Sequence, residues 1–567
     1  MSTRRISAAV VAALAILAVM AFAVSSASAI GTGEQIHYVV VAEDGVSAAA
    51  TAAAITRAGG TIVSRNDDVG MFSVQATSAF AQAAVDAPEL IGAATDRAIG
   101  QVPDLVSKRN AVEEEGTAAA AGGNGTPAAA VGADPLDSLQ WNMAMVHADA
   151  AHAKQMGSRA VTVGIIDSGI DASHPDLGPN LDLALSRNFA PDKPDIDGPC
   201  EVPSCLDPVG QDDNGHGSHV AGIVAAAANG LGVAGVAPNV TLVELKGGQD
   251  SGFLFLEPVV NALTYAADNG IDVVNMSFFI DPWLYNCTAN PADSPAAQAE
   301  QRVIITVVNR ALNYAHDHRV TLVGSLGNNH EDLGHPRTDS TSPDYPPGTN
   351  YPRPIDNATC LDLPVEGPHV IGVSALGPST AKADYSNYGV EQISVSAPGG
   401  YFRDFFGTPE HRVNANQVLS TYPLARLQQL NRVDAAGNVT PTGVAAGTVK
   451  NCNAAGVCGY YQYLQGTSMS SPHAVGVAAL IVSRFGKHDP KHPGVRLEPA
   501  KVESLLLRTA DEHACPEPPL FTYTNVGRPA EFNALCEGDL NFNGFYGYGI
   551  VDAFAAVTAP PAWDELP

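Results

Sequence analysis

Basic residues are scarce in this chain: Lys and Arg together number 30 against 59 Asp and Glu, a formal net charge of −29. Phosphate backbones and anionic lipid repel such a chain, which argues against nucleic-acid and membrane-surface partners. Only 16% of residues are charged and 6% aromatic, yet 45% are hydrophobic. Core material is therefore plentiful, and disorder of the whole chain is excluded. Past the N-terminal segment, no apolar run reaches the roughly 20 residues needed to span a bilayer. The eight cysteines contain no C-x-x-C spacing, which removes support for a zinc ribbon or a thioredoxin-like site.

What is present begins with an address. Arg4 and Arg5 precede an apolar run from Ile6 to Val24, followed by Ala27-Ser28-Ala29. A charged n-region, an h-region and an A-x-A site predict a signal peptide over residues 1–29 and a secreted, extracellular protein. In that oxidising compartment cysteines pair. Proximity suggests Cys200 with Cys205, Cys452 with Cys458 and Cys515 with Cys536, leaving Cys287 and Cys360 as a long-range pair.

Residues 36–103 read as a small α+β unit. Strand Ile36–Val41, helix Ser47–Ala58 and strands Thr61–Ser64 and Met71–Gln75 are followed by a helix near Ser78–Val85 and a strand near Ile91. That order, βαββαβ, is ferredoxin-like. Residues 104–133 are charged and then rich in Ala, Gly and Pro, the composition of a flexible linker open to proteolysis. From residue 134 to about 560, short apolar strands (Val161–Ile166, Thr241–Leu245, Ile271–Met276, Thr321–Gly324, Val370–Val373) alternate with Ala/Val-rich helices (His216–Ala228, Leu256–Asn269, Ser468–Arg484). Such alternation predicts an α/β fold, a mostly parallel sheet with helices on both faces. Its chemistry belongs at the carboxyl ends of the strands. Polar insertions near 281–300, 329–360 and 401–459 show no periodicity.

Three blocks carry chemistry. Asp167 closes a strand and opens Asp167-Ser-Gly-Ile-Asp-Ala-Ser-His174-Pro-Asp176-Leu177, a carboxylate at a strand end beside a tight Gly turn. His216 opens a helix within Asn214-Gly-His216-Gly-Ser-His219-Val-Ala-Gly222, exposed between glycines for proton transfer. A metal reading of His216 and His219 lacks the Glu of H-E-x-x-H. Ser468 lies in Gly466-Thr-Ser468-Met-Ser-Ser-Pro472-His473 at the start of a helix, where dipole and backbone N–H favour a developing anion. Each block alone also reads as a turn or a cap.

Together, and in the order Asp167, His216, Ser468, the blocks resemble those of the subtilisin-like serine peptidases over roughly residues 134–560. Gly547-Tyr-Gly-Ile-Val-Asp552-Ala closes the region in the same style. The resemblance implies a triad of Asp167, His216 and Ser468, needing no catalytic cofactor, that hydrolyses peptide bonds through an acyl-enzyme. It implies an oxyanion donor, Asn328 in Val323-Gly-Ser-Leu-Gly327-Asn328, with Asn329 adjacent. Ile271–Phe279 resembles the strand that pairs with bound peptide, so Ser277, Phe278 and Phe279 are expected at the substrate. Phe278 and Phe279 stand there in place of the usual Leu-Gly, and Phe279, in the position of the Gly, adds bulk at the P1 wall. Structural calcium is implied at Asp176 and Asn229, with Asp134 completing the set. A second loop, Asp539-Leu-Asn541-Phe-Asn543-Gly544, lacks the closing Glu of a calcium loop and reads as a turn. Residues 36–103 look like the inhibitory propeptide of this family. The expected partners are protein or peptide substrates and the chain's own propeptide, on a monomer. The alternative function is a catalytically silent subtilase-fold protein that captures peptides, or a calcium-stabilised structural one.

Overall fold

A computed structural model describes residues 34–96, 98–101, 112–115, 134–278, 282–343, 348–489 and 494–560. The signal-peptide segment, most of the linker and Phe279 lie outside the described residues.

The N-terminal unit comprises β1 (Ile36–Ala42), α1 (Ala48–Arg57), β2 (Thr61–Asn66), β3 (Met71–Ala76), α2 (Phe80–Val85) and β4 (Leu90–Thr95). The Ser47 side chain caps α1 by accepting the Ala50 N–H, the ordinary role of a serine at that position. The sheet order is β2-β3-β1-β4, antiparallel throughout, so the βαββαβ expectation holds. One face of this sheet packs Val40, Phe72 and Val74 against Ile55 of α1 and Phe80 of α2. Val39, Val41, Met71 and Ala94 belong to a core cluster shared with the large domain. Past β4 the chain forms β5 (Ala98–Gln101).

The large domain contains β6 (Thr162–Asp167), β7 (Arg187–Asn188), α3 (His216–Ala225), β8 (Thr241–Lys246), β9 (Phe253–Phe255), α4 (Leu256–Asp268), β10 (Val273–Met276), α5 (Pro295–Asp317), β11 (Thr321–Ser325), β12 (Val370–Leu376) and β13 (Val395–Pro398). It continues with β14 (Val418–Thr421), β15 (Val449–Cys452), β16 (Cys458–Leu464) and α6 (Thr467–Phe485). Seven strands run parallel in the order β13-β12-β11-β10-β6-β8-β7. One face packs on α3 and α6, the other on α4 and α5. Residues 467–482 of α6 are all buried, which is why its stretch from Ala474 to Val482 is apolar all round. Each fully buried Val, Leu or Ile there contributes about 1.5–3 kcal/mol.

Two insertions are more regular than their sequences suggest. The segment expected to be irregular near 281–300 runs into the 23-residue α5. The Ser294 side chain accepts the Ala297 N–H, Pro295 opens the helix, and Val303, Val307 and Ala311 turn inward. Within 401–459 lie β14 and β15, which flank β16 in an antiparallel sheet of order β14-β16-β15. All eight cysteines pair as proximity suggested: 200–205, 287–360, 452–458 and 515–536. No helix among the described residues is long and apolar enough to cross a membrane.

Candidate active site

Asp167 is the last residue of β6, His216 the first of α3, and Ser468 lies in the first turn of α6. Asn328 follows β11 by three residues. Sequence positions scattered over three hundred residues thus converge at the carboxyl end of one parallel sheet, where such sheets place ligands.

His216 Nδ1 lies 2.8 and 2.9 Å from the two Asp167 carboxylate oxygens, in a pair that is 2% and 1% exposed. Asp167 is itself held, accepting the Ser168 N–H at 2.7 Å. Asp212 steadies the approach to the helix by accepting the Gly215 and Ser218 N–H groups and the Ser168 hydroxyl. A Cβ on Gly217 would stand 2.2 Å from the Gly169 carbonyl oxygen, so glycine beside His216 is a packing requirement. His219 points elsewhere: its Nε2 bonds the Gln462 carbonyl at 3.0 Å, and burial drives its pKa down to about 3. That bond anchors β16.

Asn328 is fixed by one residue. Its Oδ1 accepts both the Thr467 N–H and the Thr467 hydroxyl, each at 2.9 Å. Because a backbone N–H can only donate, the amide oxygen must face Thr467, which assigns the amide NH₂ to the opposite side. Asn329 uses its backbone N–H on the Asn387 side-chain oxygen. Asn328, directly behind Ser468's neighbour, is the better placed of the two.

The substrate-wall residues divide. Ser277 is buried, its hydroxyl bonded to the Ser468 carbonyl at 3.0 Å and to the Ser471 hydroxyl at 2.8 Å. It braces the catalytic loop. Phe278, expected at the substrate, is 2% exposed and belongs to the core cluster with Met276, Trp283 and Ile304. A ring sunk in that cluster is not free to form a pocket wall.

Three residues around the Gly230–Val233 loop were expected to hold calcium. Asp176 accepts hydrogen bonds from Asn229 Nδ2 and from the Tyr461 hydroxyl. Asp134 Oδ1 accepts the Gly230 N–H, while its buried Oδ2 has no partner. Burial, with the Asp134 charge as a lesser contributor, pushes the Asp176 carboxyl up to about 7, and burial raises Asp134 as well. A neighbouring cation would favour the charged forms of both.

One residue at the site was not foreseen. Glu113, from the segment read as linker, is buried against His216, its Oε2 3.7 Å from His216 Nε2. A Cβ on Gly466 would meet Glu113 Oε1 at 2.6 Å, so this glycine leaves the room the carboxylate takes. The Gln465 N–H donates to the Glu113 carbonyl at 3.2 Å. With Glu113 in place the Ser468 hydroxyl donates to the Ser277 carbonyl at 3.3 Å, and His216 Nε2 has no hydrogen-bond partner. Burial pushes the Glu113 carboxyl up to about 7 against the pull of His216 and Ser468. Burial lowers His216, but the Asp167 and Glu113 charges outweigh it and raise its pKa to about 9. A histidine held protonated is a poor general base at neutral pH. Glu113→Gln is therefore expected to lower the His216 pKa, read by NMR titration of the imidazole in a Ser468→Ala background. An unmoved titration midpoint would mean that Asp167 alone sets the charge. The run Glu113-Glu114-Glu115, isolated before Ala- and Gly-rich sequence, is a signal that could have drawn attention to this segment, though not to its burial.

β5 pairs antiparallel with β9, Ala98 with Phe255 and Gln101 with Phe253, a strand added to an exposed edge as bound peptides add.

Comparison with known proteins agrees with this geometry. Residues 158–549 match the subtilase peptidase family. Subtilisin DY of Bacillus licheniformis is 28% identical over 352 residues, covering 61% of this chain and 86% of that protein. A thermostable alkaline protease of Halalkalibacterium halodurans is 27% identical over 348 residues, covering 61% of this chain and 64% of its own length. Among solved structures, an epidermin leader peptide processing serine protease from Staphylococcus aureus superposes with a TM-score of 0.60 at 19% identity, over 93% of this chain and all of that one. Fervidolysin from Fervidobacterium pennivorans, a keratinolytic enzyme, gives 0.54 at 20% identity, over 95% of this chain and 62% of that one. At such identities the structural likeness speaks for the fold. The family match spans more than half of the sequence, so the chain belongs to the subtilase family and is a subtilisin-like serine endopeptidase.

Proposed function

We propose that the protein is secreted as a zymogen in which Asp167, His216 and Ser468 act as the triad and residues 36–103 as the inhibitory propeptide. The observation that carries this reading is the buried Asp167–His216 pair facing the helix start that bears Ser468. Ser468 Oγ attacks the scissile carbonyl while His216 takes its proton, and Asp167 holds the imidazole tautomer and stabilises the imidazolium. The oxyanion receives the Ser468 N–H and the Asn328 amide. His216 then protonates the leaving amine, and a water activated by the same imidazole hydrolyses the acyl-enzyme.

Support for the inhibitory role comes from the β5–β9 pairing and from Glu113 beside His216. Further support is the contact surface of the N-terminal sheet on α5, where Arg310 donates to the Ala42 and Val69 carbonyls. Lys193 and Asp96 add an ion pair at 3.0 Å. An active-site-directed phosphonate tests the catalytic part. The mature enzyme should be labelled stoichiometrically at Ser468, the precursor slowly, and a silent peptide-binding protein not at all.

Calcium belongs to the same proposal. Asp134, Asp176 and Asn229 are the residues that would hold it, since the buried Asp134 Oδ2 lacks a partner and a hard cation suits such oxygens. The ion would stabilise the native loop and take no part in the chemistry. Excess chelator is expected to lower the thermal midpoint of the mature enzyme by several degrees and to speed autolysis. An unchanged melting curve would remove calcium from this site.

A further inference from the structure

Three arginines stand beside the cleft in a chain that is otherwise strongly acidic. Arg403 and Arg528 both face Asp384, whose side chain is fully buried, at 3.9 and 2.6 Å. Two guanidinium groups against one enzyme carboxylate leave one positive charge unmet. Glu115 meets it: its carboxylate accepts from Arg403 Nε at 2.5 Å, Arg528 Nη2 at 3.0 Å and Gln465 Nε2 at 3.3 Å. The forks are fixed by the enzyme itself. Arg403 Nη1 donates to the Val526 carbonyl at 2.7 Å, and Arg528 lies 5.0 Å over the Phe532 ring. On the neighbouring wall Arg432, 6% exposed, takes both oxygens of Glu114 at 2.9 Å.

The path of the chain gives these contacts a direction. Residues 98–101 pair with β9, Glu113 lies at the triad, and Glu114 and Glu115 lie beyond it against the arginines. A peptide crossing the cleft in the same sense has its acyl side at β9 and its leaving-group side at the arginines. The segment itself is a turn, closed by the Glu115 N–H on the Val112 carbonyl at 3.3 Å.

We propose that Arg432 and the Arg403–Arg528 pair form a carboxylate-reading subsite on the leaving-group side. There the mature enzyme binds acidic side chains of its substrates, and its own Glu114 and Glu115 hold that place in the precursor. This rests on the endopeptidase reading above. Charge-assisted, forked arginine–carboxylate bonds are the strong kind, and departure of the pro-segment returns their charge to the cleft.

The test uses mature enzyme whose N-terminus is shown to lie beyond residue 115. Internally quenched peptides would differ only at the first and second residues after the one seated at the triad, carrying Glu, Gln or Lys. Glu over Gln should raise kcat/KM by about tenfold at each position, Lys should lower it, and added salt should shrink the ratio. Arg432→Gln should bring the first-position ratio near one, and Arg528→Gln the second. Should Arg528→Gln fail to fold because Asp384 loses its partner, Arg432→Gln still decides, since Arg432 is paired with the pro-segment's Glu114. Equal rates for Glu and Gln in the wild type would overturn the subsite, as would a preference that survives Arg432→Gln at the first position. If phosphonate labelling fails as well, the fault lies with the triad reading; if labelling succeeds, with the subsite alone.

Discussion

Ser468→Ala is expected to accumulate as a folded precursor with residues 36–115 attached, while the wild-type protein loses them. The expectation follows from how the segments are laid across the cleft. β5 occupies the edge of β9, and Glu113 occupies the space between His216 and Gly466. A chain so placed is delivered to its own nucleophile as the domain folds, and removing the Ser468 hydroxyl removes the only group able to form the acyl-enzyme. Hydrolysis of any peptide substrate should fall by several orders of magnitude in the same variant. The variant should fold normally: the backbone at 468 keeps its place in α6, and the side chain lost makes one 3.3 Å bond to Ser277. Masses and N-terminal sequences of both proteins, made in a host lacking other extracellular proteases, decide the matter. Trimming of the Ser468→Ala protein at the wild-type position would assign maturation to another enzyme and end the autocatalytic claim.

The second large effect concerns Asn328. Thr467 holds the Asn328 oxygen, so under the proposed mechanism the amide N–H is the preset donor to the oxyanion and reorganises little when charge develops there. Asn328→Ala should lower kcat by about 10²–10³-fold with KM little changed, the range that holds for the equivalent donor of subtilisin itself. A bond made only in the transition state has that signature. Thr467→Val, which keeps the backbone donor and loses the hydroxyl, should cost less, since one of the two bonds on Oδ1 survives. If kcat were unchanged in Asn328→Ala, the oxyanion would be served by backbone N–H groups alone. A loss in the adjacent Asn329→Ala instead would move the role one residue along.

Some of this was legible in the residues because it is local. The strands β6, β8, β10, β11 and β12 are short β-branched runs buried on both faces, and a run of that kind has few alternatives. The triad blocks were legible because glycines at 169, 215, 217 and 466 and the helix starts at 216 and 467 must lie close in sequence to the groups they position. The amphipathic α5 was hidden by its polar, Pro-marked beginning, and β14–β16 by insertions whose periodicity is too short to register. Phe278 is expected at the substrate from its place in a motif, whereas its burial depends on where Trp283 and α5 pack.

The sequence by itself determined the five central strands of the parallel sheet and the cysteine pairing, since each is set by neighbours within a few residues or by the small number of partners available. Only the tertiary structure decided what fills the cleft. Val112–Glu115 has no periodicity and no secondary-structure preference, and nothing local marks it as buried. Its place is fixed by Gly466, His216 and Gln465 on one side and by Arg403, Arg432 and Arg528 on the other. Those partners lie about one hundred to more than four hundred residues further along. Three glutamates from a stretch without structural preference come to lie beside His216 and the arginines because long-range packing supplies both the void and the opposite charge.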